Sequence, residues 1–547
     1  MVFPSKLVDL KADTFLLREL LKPCSRNALP TSALFYKRSG KYVSLGFGVH
    51  ARSCPTKPRQ KRFRYVDFRI ASGIDRDKDL ESENVVVLGL GVSGRAAAEL
   101  ALYRGAYVTG LDDNSKLDLT SWSVPHRFER FSVSLGSDQD SVLANATQLV
   151  VSPGVSLQSR AVKRALSMGI PVVSELGFGF QAIPRDSRCA IAAITGTNGK
   201  STVTHFLAQL LRSAGVTAWA GGNLGTPISA LSLGMRTGRL SGVQAAVLEV
   251  SSFQLEAPSA FRPDAAAVLN LTPDHLERHG SMAAYAAAKC SVFRNMAPGA
   301  PAFLPGDDHA LTEMALDANP SLSVLGIGRL PGVQLMGRHA AVSIPGLPEF
   351  ELDLRPLRCS GTHNLVNAAV AAAMAASLRL PGAGPSQLQG GLGRLEMLPH
   401  RMQSLGTTHD VEWIDDSKAT NVEAAATGIQ GLEKPAVVLL GGRAKRLAEG
   451  GLGFWRVAGA LSCHRAAVAF GEDAPGIAEE LCDAGVACIL ADDLEEAVRV
   501  ACGLALPGDA ILLSPGCSSF DEFVSFEHRG RAFAALKHAY STEGRSC

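Results

Sequence analysis

The run Thr195-Gly196-Thr197-Asn198-Gly199-Lys200-Ser201-Thr202 restricts this chain more than any other segment. It lies between an apolar stretch, 189–194, and an amphipathic one, 203–214, so the pattern predicts strand, loop over 196–202, and helix. In such a unit the loop's backbone N–H groups and the positive end of the helix face the same point and bind phosphate. Lys200 adds a charge for the outer phosphates, and Ser201 has a hydroxyl for Mg²⁺. The general phosphate-loop pattern wants glycine five residues before Gly199, where this chain has Ile194. The template is met in a shortened form.

A second glycine turn precedes it. An apolar strand over 84–88 leads into Gly89-Leu90-Gly91-Val92-Ser93-Gly94, an Ala-rich helix over 95–103 and a strand over 106–111 that ends at Asp112-Asp113. Parallel strands need a helical crossover, so this is a βαβ unit. Its Gly-x-Gly-x-x-Gly with an acid some twenty residues on fits a dinucleotide site. The physics of a helix end facing a diphosphate does not separate NAD from another diphosphate ligand. Further strands are expected at 148–152, 172–173, 245–249 and 265–270. A third block has strands at 411–414, 436–440, 466–470, 488–490 and 510–513. The reading is three consecutive α/β domains, over 81–186, 187–395 and 396–547, after a leader of residues 1–80. The first and third are Rossmann-like and the second is phosphate-loop ATPase-like.

Of 547 residues, 46% are hydrophobic and 19% charged, and the net charge is +2. That balance favours a globular protein acting on small molecules and gives no global attraction to nucleic acid. No run approaches the ~18 apolar residues of a membrane span; the apolar stretch 365–378 is Ala-rich and reads as a buried helix. Eleven cysteines lack Cys-x-x-Cys pairs and metal spacing, which points to free thiols. Charge is concentrated at the start, where residues 1–64 carry fourteen Lys/Arg against Asp9, Asp13 and Glu19. Basic, Ser-containing and acid-poor, the leader reads as an organelle transit peptide; the other reading is a basic tail for acidic partners.

Two more clusters carry chemistry. Glu249 ends an apolar strand and heads Val250-Ser251-Ser252-Phe253-Gln254-Leu255-Glu256, where a hard oxygen suits Mg²⁺; the alternative is a helix-capping acid. Asn270-Leu271-Thr272-Pro273-Asp274-His275 follows the next strand, with Lys289 beyond it. By default His275 is a hydrogen-bonded structural residue and Lys289 a surface lysine.

From Gly196 through Lys289, the order and spacing of these motifs resemble the central domain of the Mur ligase family. The Ser-Ser-Phe-Gln-Leu-Glu run is similar to its D-glutamate-adding branch, and the likeness extends over about 83–540. The resemblance implies ATP-dependent amide formation between UDP-N-acetylmuramoyl-L-alanine and D-glutamate through an acyl phosphate, with ATP and Mg²⁺. It implies ATP contacts at Gly196 through Thr202, Asn364, Asn367, Arg401, Asp416 and Lys418, with Arg401 on the γ-phosphate. Mg²⁺ falls to Ser201, Glu249, His275 and a carbamylated Lys289. The UDP-sugar falls to Val92, Ser93, Gly94, Asp112, Asp113, Ser152, Pro153, Gly154, Asn223, Ser251, Gln254 and His275. D-glutamate falls to Thr420, Lys445, Ser519, Phe520 and Phe526. Lys200, Glu249, His275, Lys289 and Arg401 carry the chemistry. A monomer and, given the leader, a plastid location are the further implications. Arg443 and Gly516 depart from the family's usual residues at loop positions. The rival readings are a related ligase such as folylpolyglutamate synthetase, and an NAD-dependent oxidoreductase fused to a nucleotide-binding module.

Overall fold

The computed structural model describes residues 80–542 apart from 121, 123–128, 137–138, 224, 258, 358–360 and 448–449. The basic leader with its transit-peptide reading lies outside the described residues, save for Leu80.

Three sheets follow one another. The first contains β1 (Asn84–Leu88), β2 (Tyr107–Asp112), β3 (Phe131–Leu135), β4 (Gln148–Val151) and β5 (Val172–Ser174), in the order β3-β2-β1-β4-β5. All its pairings are parallel. The order reverses between β1 and β4, and ligands of such sheets sit at that switch, outside the strands' carboxyl ends. Strands β1 and β4 end at the Gly89–Gly94 turn and at Ser152-Pro153-Gly154.

The second sheet starts with β6 (Ala190–Thr195), β7 (Ala218–Gly222), β8 (Ala245–Glu249) and β9 (Ala265–Val268). It continues through β10 (Pro301–Pro305), β11 (Ser323–Ile327), β12 (Gly332–Met336), β13 (His339–Ser343) and β14 (Phe350–Asp353). Their order is β14-β13-β12-β11-β10-β9-β6-β8-β7, parallel except at β12–β13–β14. The sequence reading assigned nothing to β10–β14, whose short strands lack a local chemical marker. The helix Thr362–Ser377, expected from its apolar run, packs with Lys200–Ser213 on one face of this sheet, its alanines fully buried among Phe206, Leu207, Leu210 and Leu211. Small side chains let the two helices and the sheet approach closely, which buries apolar area without long rotamers to freeze.

The third sheet holds β15 (Gln403–Thr408), β16 (Val411–Asp415), β17 (Ala436–Gly441), β18 (Ala466–Phe470), β19 (Cys488–Leu490) and β20 (Ala510–Gly516). Its order is β15-β16-β20-β17-β18-β19, antiparallel only at β15–β16. The described cysteines are all free thiols. Among the described residues no helix is long and apolar enough to cross a membrane.

Candidate active site

The phosphate loop is shorter than expected. The helix already begins at Lys200, so Lys200, Ser201 and Thr202 stand on its first turn rather than in the loop. Gly196 and Gly199 take positive φ (141° and 83°), and a Cβ on Gly199 would come 3.0 Å from Asn367 Oδ1. Glycine is needed there for both reasons. The neighbouring loop after β9 is clamped to this turn. The Asn198 N–H donates to Asn270 Oδ1 at 2.8 Å, Asn270 Nδ2 donates back to the Asn198 carbonyl, and Thr197 Oγ1 donates to the Thr272 carbonyl. Lys200 Nζ lies over the loop, donating to the carbonyls of Gly196 and Thr197 at 3.0 and 2.7 Å.

Glu249 ends β8 beside Ser201. Its Oε1 accepts from Asn223 Nδ2 at 3.0 Å, and its Oε2 is buried without a hydrogen-bond partner. Burial pushes the carboxyl up, but Lys200, the Ser201 hydroxyl, Lys418 and Asn223 outweigh it and hold the acid below its ordinary value. Lys289 is 1% exposed, donates to the Gly196 carbonyl at 2.8 Å and stands 4.4 Å from the centre of the Tyr285 ring. Burial first, then repulsion from Lys200, drives its ammonium well below the ordinary range. Lys289 is therefore a core amine at the phosphate loop, not a surface lysine. His275 takes a left-handed φ of 55° and lies 3.5 Å from both Asp274 and Glu277.

An unpartnered carboxylate oxygen, a serine hydroxyl and a deprotonation-prone lysine fit a hard cation such as Mg²⁺. Among the described residues no three His, Cys, Asp or Glu side chains cluster as a complete metal site.

The third domain closes over this loop. Lys445 Nζ donates to Asp274 Oδ1 at 2.7 Å, and Asn421 Nδ2 reaches Asn198 Oδ1 at 3.5 Å. Burial lowers Arg401, and its buried Nε has no partner. Burial and then Arg401 bring Lys418 to about 8. Lys418 Nζ also lies 5.3 Å from the centre of the Phe526 ring. Asp416 is buried, accepts from Ser514 Oγ at 2.8 Å and from the Met402 N–H at 3.2 Å, and is raised to about 7 by burial. A narrow groove runs between the domains past Asp274, His275, Asn421, Lys445, Arg446 and Gly516. Thr420 and Phe526 are half-buried, Ser519 is buried and Phe520 is 66% exposed. Asn364 is buried one helical turn before Asn367, whose Nδ2 reaches it at 3.4 Å.

The first domain's turn carries no comparable charge. Ser152 Oγ donates to the Gly89 carbonyl at 2.6 Å, and Gly94 packs so tightly that a Cβ would lie 1.8 Å from that carbonyl oxygen. The Asp112 carboxylate, expected on the uridine, accepts from the Leu90 and Asn114 N–H groups and so braces the turn. Asp113 follows it, Val92 is exposed, Ser93 is half-buried, and Pro153-Gly154 begins the turn after β4. Asn223, implied at the UDP-sugar, donates from Nδ2 to Glu249 Oε1 at 3.0 Å. Ser251 and Gln254 form a capping box on the helix Ser252–Glu256.

One group had no marker in the sequence. Arg529 is 1% exposed, and its guanidinium donates to Ser417 Oγ and to the carbonyls of Ser417, Cys517, Ser518 and Gly441, holding three loops of the third domain together. Its partners are carbonyls up to 112 residues away, which no local pattern reveals.

Comparison with known proteins assigns each part. Residues 83–174 match the Mur ligase MurD-like N-terminal domain, 194–375 the Mur ligase middle domain and 400–517 the Mur ligase glutamate ligase domain. The UDP-N-acetylmuramoylalanine--D-glutamate ligase of Rubrobacter xylanophilus is 40% identical over 461 residues, covering 82% of this chain and 97% of that protein. The enzyme of the same name from Pelotomaculum thermopropionicum is 36% identical over 472 residues, covering 84% and 98%. In structure, UDP-N-acetylmuramate-alanine ligase MurC of Thermotoga maritima shares the fold, with a TM-score of 0.52 at 16% identity over 83% of this chain and 99% of that one. This chain belongs to the Mur ligase family.

Proposed function

We propose that this protein uses ATP to join the amine of D-glutamate to the L-alanine carboxylate of UDP-N-acetylmuramoyl-L-alanine, releasing ADP and phosphate. The observation that carries the reading is the charge set at the phosphate loop. Lys200, Arg401 and Lys418 have pKa values lowered by burial, and each is lowered further by at least one other cation, or lowers one. Cations drawn together from two domains, and only partly offset by Glu249, Asp274 and Asp416, suit a polyanion, and the helix end beside them suits a triphosphate.

A carboxylate is a poor acyl donor until its oxygen becomes a leaving group. The substrate carboxylate attacks the γ-phosphorus, the bond from that phosphorus to the ADP oxygen breaks, and an acyl phosphate forms. The amine of D-glutamate then attacks the carbonyl carbon, loses a proton, and the tetrahedral intermediate expels phosphate. The chain contributes positioning and charge. Lys200 and Arg401 neutralise the transferring phosphoryl group, and Lys418 lies beside them. Lys445 pairs with a carboxylate of D-glutamate at the groove, with Thr420, Ser519, Phe520 and Phe526 around it. Mg²⁺, held by Ser201, Glu249, His275 and Lys289, would supply charge neutralisation between the phosphates. For Lys289 to serve, its neutral amine adds to CO₂ and releases a proton, giving an anionic carbamate; burial favours the neutral amine this requires. The first domain holds the UDP diphosphate over the Gly89–Gly94 turn.

ADP release with UDP-N-acetylmuramoyl-L-alanine, ATP, Mg²⁺ and either isomer of glutamate tests the reading. Turnover with D-glutamate alone is expected; no nucleotide consumption with any candidate acid and amine refutes it. The leader's composition supports import into a plastid, which isolated chloroplasts and mitochondria offered the full-length chain distinguish.

A further inference from the structure

We propose that Arg278 is a positioning residue that sets the distance between the UDP-sugar turn of the first domain and the phosphoryl-transfer site of the second. The inference rests on the function proposed above and adds a residue to it.

Arg278 lies three residues after His275, and its guanidinium bonds in two directions. Toward its own domain, Nε donates to both oxygens of Glu256 at 3.1 Å and Nη2 to Glu256 Oε2 at 2.7 Å. Toward the first domain, Nη1 donates to the Pro153 carbonyl at 3.1 Å and Nη2 to the Val155 carbonyl at 3.0 Å. Those carbonyls flank Gly154, where a Cβ would meet nothing within 4 Å, so the turn has an open side. The guanidinium carbon lies 3.9 Å from the centre of the Phe253 ring, and that ring meets the His275 ring edge-on at 4.7 Å. One planar group thus joins the Pro153–Val155 turn to Glu256 and to the Phe253 ring, and that ring in turn meets His275.

The two domains do not depend on this tie to stay together. Their main seam is the helix Glu175–Gln181 against Ile228–Arg236, where Ser232 Oγ donates to the Gly179 carbonyl and Arg236 Nε to the Ala182 carbonyl. Arg278 is a separate tie, made directly to the Pro153–Val155 turn. An acceptor anchored by its UDP at one end must deliver its carboxylate to the other, and a misplacement of about 1 Å costs on the order of 100-fold in rate. A rigid fork that meets a carboxylate and two carbonyls at once is work a lysine cannot copy.

The test uses the full chain with Arg278→Lys and, as a second variant that keeps the arginine, Glu256→Gln. Calorimetric titration with UDP-N-acetylmuramoyl-L-alanine counts competent sites and gives affinity; ADP release then gives kcat per titrated site. Arg278→Lys is expected to lower kcat per site about 10- to 100-fold, with acceptor affinity and the KM for ATP changed less than about threefold. Glu256→Gln should move kcat the same way by less. A purely structural role would instead reduce the number of competent sites at unchanged kcat per site, and that result overturns the proposal. So does a loss confined to acceptor affinity, or no loss in either variant. A wild-type protein that turns over no acceptor sinks the functional reading, and this inference with it.

Discussion

The molecule makes the same backbone device twice and equips it differently. The Gly89–Gly94 turn and the Gly196–Gly199 turn each follow a parallel strand and open a helix. Around the first, the nearby charged groups are occupied with the fold. Asp112 accepts from Leu90 and Asn114, and Arg95 donates to the carbonyls of Leu90 and Asp118 beside the Trp122 ring. Around the second, Lys200, Glu249, Lys289, Arg401 and Lys418 share one buried field. Backbone dipoles suffice to hold a phosphate; moving a phosphoryl group needs charges that can follow the developing charge of the transition state. In the proposed reaction the glycines therefore mark where phosphate would bind, and the side chains gathered around them mark what would be done to it.

The harshest way to sharpen that contrast is Lys200→Ala. Ligation should fall roughly 10³-fold or more, while affinity for the UDP-linked acceptor, measured by calorimetry, stays within about threefold. Residual turnover above a tenth of wild type would show that the second turn, like the first, works through its backbone alone.

The first turn is probed by a pair of glycines. At Gly94 a Cβ would meet the Gly89 carbonyl at 1.8 Å and Ser152 Oγ at 2.7 Å; at Gly91 it would meet nothing within 4 Å. Gly94→Ala should cost about 3 kcal/mol of local stability, lower the thermal midpoint and weaken acceptor binding, with ATP affinity intact. Gly91→Ala should stay within about 0.5 kcal/mol. Equal effects of the two would mean that the turn's shape is not what holds the diphosphate.

What could be read beforehand follows the same division. Both turns and β8 with Glu249 at its end are contiguous in sequence, so their residues and spacing carry them, whereas Asp416, Lys418 and Thr420 were marked only by the family resemblance. The start of the helix at Lys200 was misplaced because Ser201 and Thr202 are ordinary loop residues by propensity, and tertiary contacts from Asn270 and Thr272 decide the turn. Arg278 and Arg529 stayed hidden because most of Arg529's acceptors, and Arg278's acceptors in the first domain, are backbone carbonyls, which have no residue type. Lys289 lay in the open as a lysine on an Ala-rich helix, but only the packing of that helix makes it a buried amine. The choice of diphosphate at the first turn was equally closed to local reading, since glycine spacing reports the phosphate and not what is attached to it.

Lys418 gives the contrast a pH signature. Its pKa of about 8 is depressed, so binding a triphosphate must hold a proton that the free protein loses above that pH. ATP affinity should weaken by about twofold from pH 7 to 8 and by up to about fivefold more from pH 8 to 9, since the phosphate's own last ionisation, near pH 6, is already complete. Lys418→Arg should flatten the profile. Acceptor affinity at the first turn, which depends on no such cation, should not change over the range. For folding the sign is opposite. A cation with a depressed pKa destabilises the folded chain while protonated, so stability without nucleotide rises as pH passes from 8 toward the unfolded value of 10.5.

The smallest effect lies at the seam that holds the two turns in one frame. Glu175 is fully buried, its Oε1 accepts from the Ser229 N–H at 2.9 Å, and its Oε2 has no partner. Burial raises it from 4.5 to about 7. An acid raised in the folded state contributes most below its unfolded pKa, loses that contribution as pH climbs from 4.5 to 7, and above 7 remains as a buried, half-satisfied anion. Glu175→Gln keeps an acceptor for Ser229 and removes the charge. It should raise the thermal midpoint at pH 8 by the equivalent of roughly 1 kcal/mol, because the amide must still place its own N–H groups. At pH 4 the gain should vanish. Ligation should be unaltered at either turn, since Glu175 fixes the seam and touches neither ligand. A variant equally stabilised at both pH values would show that the seam is limited by packing and not by the charge it buries.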